Sequence, residues 1–137
     1  MDIFTSDGNR GFDSGNMEEW NSLLSTIKVR LKDYLNHIPN AINFLEKGIC
    51  KACDAQKTAR EINLIRDQLS QYKPTQAVYD YRFPDKEIPW INSISPIVTS
   101  CANLYMTSEG QDLLFELVSI LAYASVVDVD VQIGNEN

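Results

Sequence analysis

After Lys86 the chain contains no lysine or arginine: residues 87 to 137 carry Glu87, Glu109, Asp112, Glu116, Asp128, Asp130 and Glu136, and nothing basic. The first 86 residues balance 12 basic against 12 acidic side chains, so the whole formal charge of −7 belongs to residues 87 to 137. If those acids share a surface, their field repels nucleic acid and attracts a basic partner. Histidine occurs once, at His37, which leaves little material for a Ser-His or Cys-His nucleophile. His37 reads as a helix-end residue. No apolar run approaches the roughly 20 residues of a spanning helix, so a membrane partner is not expected. The opening Met1-Asp2-Ile3-Phe4-Thr5 lacks the basic and apolar regions of a secretory signal, and a cytoplasmic location is the expectation. A P-loop, GxGxxG, GxSxG, HExxH and an EF-hand loop are all missing.

Cysteine is scarce. Cys50, Cys53 and Cys101 are an odd number without the spacing of a disulfide scaffold, as expected in a reducing compartment. Cys50-Lys51-Ala52-Cys53 has the form of half a zinc site or a redox pair. The only further ligands of the usual kind are Cys101 and His37, and no βαβ pattern accompanies the motif. The pair is therefore read as reduced small hydrophobes at a helix junction, with no metal and no cofactor.

What is present is an ordinary globular composition, 44% hydrophobic and 23% charged over 137 residues, which suits one domain spanning 1–137. Trp20, Leu23, Leu24, Ile27, Leu31, Tyr34, Leu35 and Ile38 recur at helical spacing, with Asn16 and Glu19 placed as a capping box and Pro39 as a stop. A short helix from about Asn40 to Lys47 should end at Gly48 with Ile42 and Leu45 inward. Ala55, Ala59, Ile62, Ile65, Leu69 and Tyr72 predict another helix, with Lys57, Glu61, Arg66 and Asp67 on a solvated side. Met1 to Thr5 suggests a strand, and Ser6 to Asn16 a loop.

Ala77 to Tyr81 has strand composition, followed by a Pro-bracketed loop through Trp90. Ser95-Pro96 predicts the start of a helix carrying Ile97, Cys101, Leu104 and Tyr105. Ser108 and Gln111 resemble a capping box for a last helix bearing Leu113, Leu114, Leu117, Ile120, Leu121 and Ala124. Val127 to Ile133 alternates apolar and polar, which predicts a half-buried strand with Asp128 and Asp130 about 7 Å apart on one face. That pair suits solubility better than a metal site. The sum is an α+β fold, mainly helical, whose small sheet joins the strand near Val78, the C-terminal strand and the N-terminal one.

The order of elements from Asp54 to Ile133 resembles the immunity protein 70 family of bacterial polymorphic-toxin and contact-dependent inhibition systems. The resemblance is carried by the helix Ala59 to Leu69, by Ala77-Val78-Tyr79-Asp80, by the bend Ile88-Pro89-Trp90, and by Asn92 to Pro96. It continues through Asn103 to Leu113 and the alternating final strand. It implies a cytoplasmic antidote that neutralises a cognate toxin by stoichiometric binding, without catalysis. Many such toxins are nucleases with basic clefts, and an acidic inhibitor fits one of those. Asp80, Tyr81, Asp85, Glu87 and Trp90 combine carboxylates with aromatics on one loop and are the expected toxin-binding residues. Trp90 competes as a buried corner, and Glu109, Asp112 and Glu116 as acids favoured at a helix start. The chain is expected to be a monomer or weak dimer. The alternatives are a small carboxylate-dependent hydrolase and an acidic protein-interaction adaptor.

Overall fold

The computed structural model describes residues 1–134; Glu136 lies outside the described residues. The two ends of the described chain meet in the middle of an antiparallel sheet ordered β2-β1-β4-β3, with β1 at Asp2–Thr5, β2 at Gly11–Asp13, β3 at Ile49–Cys50 and β4 at Val131–Gly134. The register sets Ile3 opposite Ile133 and Thr5 opposite Val131. Period-two alternation thus sends Ile3, Thr5 and Val131 to the buried face, with Cys50 beside Val131. β2 corrects the expected loop at Ser6 to Asn16: Asp7-Gly8 turns the chain, Gly8 takes φ 74°, and Ile3 pairs with Phe12 across a hairpin.

The helices are α1 (Met17–Arg30), α2 (Pro39–Lys47), α3 (Ala55–Leu69) and α4 (Leu113–Val127). Asn16 caps α1 as expected, its Oδ1 accepting the Glu19 N–H at 2.8 Å. The stripe that runs on to Ile38 is not one helix: α1 stops at Arg30, and Lys32–His37 is a 3₁₀ helix. Pro39 therefore opens α2 rather than closing α1, a position where its missing N–H costs nothing. Gly48 ends α2 at φ 80°, and a Cβ there would stand 3.0 Å from the Ile133 carbonyl oxygen. Both the left-handed turn and the close approach of β4 require glycine. α3 and α4 pack along each other. One hydrophobic core joins them to Trp20, Leu23 and Ile27 of α1, Phe44 and Leu45 of α2, and Ile3 and Val131 of the sheet. No helix among the described residues is long and apolar enough to cross a membrane.

Four expectations fail for identifiable reasons. Glu61 is not on a solvated face: it is 8% exposed, and its carboxylate accepts the backbone N–H groups of Asn40 and Ala41 at 2.7 and 3.1 Å and the Asn40 side-chain amide at 2.7 Å. It caps α2 from across the helix pair. Ser95 to Met106 forms no helix, because its backbone groups are engaged elsewhere: Asn103 Oδ1 takes the N–H groups of Thr99 and Ser100, and the Cys101 N–H reaches the Tyr72 carbonyl at 2.9 Å. α4 is capped by Asp112, not Ser108, with Asp112 Oδ1 accepting from Phe115. Finally, Val127 still belongs to α4, and Asp128 takes the left-handed C-cap at φ 60°. β4 starts only at Val131, so Asp128 and Asp130 do not share a strand face.

Candidate functional site

The segment expected as a strand at Ala77 to Tyr81 joins no sheet among the described residues. Its extended backbone is held instead by hydroxyl groups of α1. Thr26 Oγ1 accepts the Val78 N–H at 2.8 Å, and Ser22 Oγ donates to the Val78 carbonyl at 2.8 Å. The Tyr105 hydroxyl sits between them, 2.9 Å from Ser22 Oγ and 2.8 Å from Thr26 Oγ1. All four residues are buried, and burial pushes the Tyr105 phenol well above its ordinary range. Every polar atom in this latch has a partner, which is the condition for burying it without penalty.

Beyond the latch the chain emerges over α1 and encloses a groove of about 340 Å³, lined by Glu18, Asn21, Leu24, Ser25 and Lys28 of α1 and by Tyr79 to Arg82. Of the expected binding residues, Asp80 and Tyr81 line it, and Trp90 meets Tyr79 edge-on with ring centroids 6.0 Å apart. Trp90 is half-buried against the core, so it serves the corner while leaving one edge outside. Asp85 and Glu87 are exposed farther along the loop and line no part of this groove.

The loop carries less net negative charge than its acids suggest. Arg82 grips Asp80 with both Nε and Nη2, the latter at 2.7 Å, and this guanidinium lowers the Asp80 carboxyl to about 2. Lys86 lies over the Tyr79 ring at 5.0 Å and Lys28 over Tyr81 at 5.3 Å. Glu18 accepts from the Tyr79 hydroxyl at 2.6 Å. The groove's two carboxylates are thus both engaged as acceptors, and Asp80 holds no proton to donate near neutral pH, unlike the acid of a carboxylate-dependent hydrolase.

Sequence reasoning misses Phe83, which is 60% exposed beside Tyr81 at 55%. The alternation Tyr79, Tyr81, Phe83 is legible, but its composition reads as a strand, and the segment pairs with no ladder among the described residues. The α1 side of the groove is missed as well.

The remaining candidates separate. Cys50 is buried in β3, with its thiol donating to Thr58 Oγ1 at 3.4 Å and its pKa raised mainly by burial; Cys53 is exposed in the turn after it, and Cys101 is buried. Asp130 accepts the Ala52 N–H at 2.9 Å and lies 3.5 Å from Lys51 Nζ, a structural clamp between the β3–α3 turn and β4. Among the described residues, no group of three or more His, Cys, Asp or Glu is placed to hold a metal ion.

The fold is that of a mainly helical α+β protein, with an aromatic, charge-balanced groove on α1. More narrowly, the chain belongs to the Immunity protein 70 family, whose model matches residues 6–133. Membership makes it an immunity protein directed against a toxin. No curated protein and no solved structure matches it.

Proposed function

We propose that this immunity protein neutralises a basic nuclease toxin by direct stoichiometric binding, with the loop from Asp80 to Trp90 as its contact surface. The observation that carries the site is the pair of exposed aromatics, Tyr81 and Phe83, presented on a segment that the buried latch at Val78 fixes to α1. Exposed large apolar side chains on a held loop suit an interface whose energy is concentrated in a few anchors, because little conformational entropy is lost on binding. Asp85 and Glu87 then form part of a polar rim. The nuclease reading rests on charge: the formal net charge of −7 favours encounter with a protein whose cleft is built for phosphates.

The test is co-expression with the toxin domain encoded beside the gene. The expected outcome is rescued growth and one-to-one co-purification, and an immunity reading does not survive the absence of both. Changing Tyr81 and Phe83 together to Ala should weaken binding on the order of 30-fold or more, the loss typical of truncating interface anchors. Unchanged affinity would move the contact surface elsewhere.

A further inference from the structure

Ser22, Ser25 and Thr26 are all buried on α1, and two of their hydroxyls close the latch at Val78. The third does not. Ser25 is 5% exposed, yet its hydroxyl forms no hydrogen bond among the described residues, and its oxygen opens into the groove shared with Tyr79 to Arg82. Polar atoms buried this far ordinarily have a fixed partner, and one aimed into a cleft points to a bond made with whatever fills it.

Glu18, Asn21, Ser25 and Lys28 recur every three or four residues and so share one face of α1. The groove along that face runs about 15 Å from Glu18 to Lys28, and its volume suits a small ligand or one long side chain. Its two ends differ in charge. Lys28 is paired with Glu46 at 3.1 Å and lies over Tyr81, and Arg82 is paired with Asp80. At the other end Glu18 accepts from the Tyr79 hydroxyl but forms no ion pair among the described residues, and neither does Glu19 beside it. Burial, and then the charge of Glu18, hold the Glu19 carboxyl above its ordinary range. Lys86, over the Tyr79 ring at 5.0 Å, is unpaired among the described residues but lies outside the groove lining. One ammonium reduces the field of two carboxylates without cancelling it.

We infer that the groove receives an arginine side chain of the toxin, laid along α1 with its guanidinium between Glu18 and Asn21 and its peptide group beside Ser25. The source of that arginine rests on the toxin-binding reading above. Glu18 and Asn21 stand one turn apart and offer acceptors to both sides of a planar guanidinium fork, whereas a lysine ammonium is a point charge that bridges them poorly. Glu18 and Ser25 are about 10 Å apart along the axis, more than one guanidinium spans, so the Ser25 hydroxyl meets the main chain from which the arginine projects. Half-buried Leu24 and the Tyr79 and Tyr81 rings line the path of the aliphatic stem. An acidic side chain would find Lys28 and Arg82 already held by carboxylates.

The groove is tested without the toxin by titrating the full chain with Nα-acetyl-L-arginine amide and following its amide signals by two-dimensional NMR. The Asn21 side-chain amide and the backbone amides of Ser25 and Tyr81 should shift together and saturate, with a dissociation constant on the order of 10 mM for a ligand of this size. Nα-acetyl-L-citrulline amide, of the same shape without the charge, should bind about fivefold more weakly or worse. Glu18→Gln should weaken the arginine probe about fivefold and Ser25→Ala about threefold. Because the Ser25 hydroxyl holds nothing in the free protein, Ser25→Ala should not lower the urea midpoint, as loss of a structural hydroxyl would. Binding of the toxin domain should fall by similar factors in both variants. Absence of shifts up to about 100 mM probe, ten times that constant, overturns the inference, as does equal binding of the citrulline probe. So does a toxin complex indifferent to Glu18→Gln and Ser25→Ala yet weakened by Tyr81→Ala with Phe83→Ala, a result that leaves the toxin-binding loop standing. Saturable binding of the arginine probe with no toxin complex at all overturns the source of the arginine together with the function proposed above.

Discussion

Ser22 and Thr26 lie one helical turn apart within the apolar stripe of α1, and at that spacing two hydroxyls face the same way. Both are buried, so something had to meet them. Their partner is the backbone of Val78, completed by the Tyr105 hydroxyl. The two substitutions that probe this latch should differ in size. Tyr105→Phe removes one hydroxyl but leaves Ser22 and Thr26 bonded to Val78, and should cost about 1 kcal/mol. Thr26→Val strands the buried Val78 N–H without an acceptor and should cost about 2 kcal/mol, the larger penalty of an unmade bond. Urea denaturation of both variants checks the order, and amide exchange at Val78 should quicken most in Thr26→Val. The latch is half legible in the sequence: polar residues inside an apolar stripe announce a buried polar partner. Nothing local says where along the chain that partner lies, and β-branched and aromatic composition at Ala77 to Tyr81 specifies extended backbone without specifying a ladder.

Among the elements, periodicity locates α1, α2, α3 and α4, since a buried face repeats at 3.6 residues whatever it packs against. It fails where backbone groups find side-chain or long-range partners, as in Ser95 to Met106, and where a left-handed residue interrupts an alternating run, as at Asp128. It fails also at Glu61, whose place in a row of charges hides a structural bond. Glu61 ties the start of α2 to the middle of α3, with α2 lacking a side-chain cap of its own at Ile38. Glu61→Ala removes a carboxylate from three donors at a helix N-terminus and should cost about 3 kcal/mol. Glu61→Gln, which keeps an oxygen for the backbone N–H groups, should lose less than half of that. Thermal melts of the two variants distinguish a specific cap from the ordinary loss of a surface charge, which would be near zero for both.

At the scale of the whole molecule, the basic-free stretch after Lys86 does not become a uniform acidic face. Asp130 is matched by Lys51, and in the preceding loop Asp80 is matched by Arg82. Asp13 is matched by the N-terminal ammonium at 3.2 Å, while Glu109 and Glu116, which form no ion pair among the described residues, lie where the hairpin meets the start of α4, away from the groove over α1. Field and contact thus separate, and this separation predicts a division in binding kinetics. Glu109→Gln with Glu116→Gln should slow association with the toxin two- to threefold, on the order expected for two screened charges, and leave dissociation unchanged. Tyr81→Ala with Phe83→Ala should do the opposite, speeding dissociation on the order of 30-fold at nearly constant association rate. Raising the salt until the Debye length falls from about 10 Å to about 3 Å should erase the first effect and spare the second. Surface plasmon resonance with the immobilised toxin domain reads both rates. A salt-independent association rate for the wild type would sever the acidic field from recognition, leaving the aromatic loop to carry it alone.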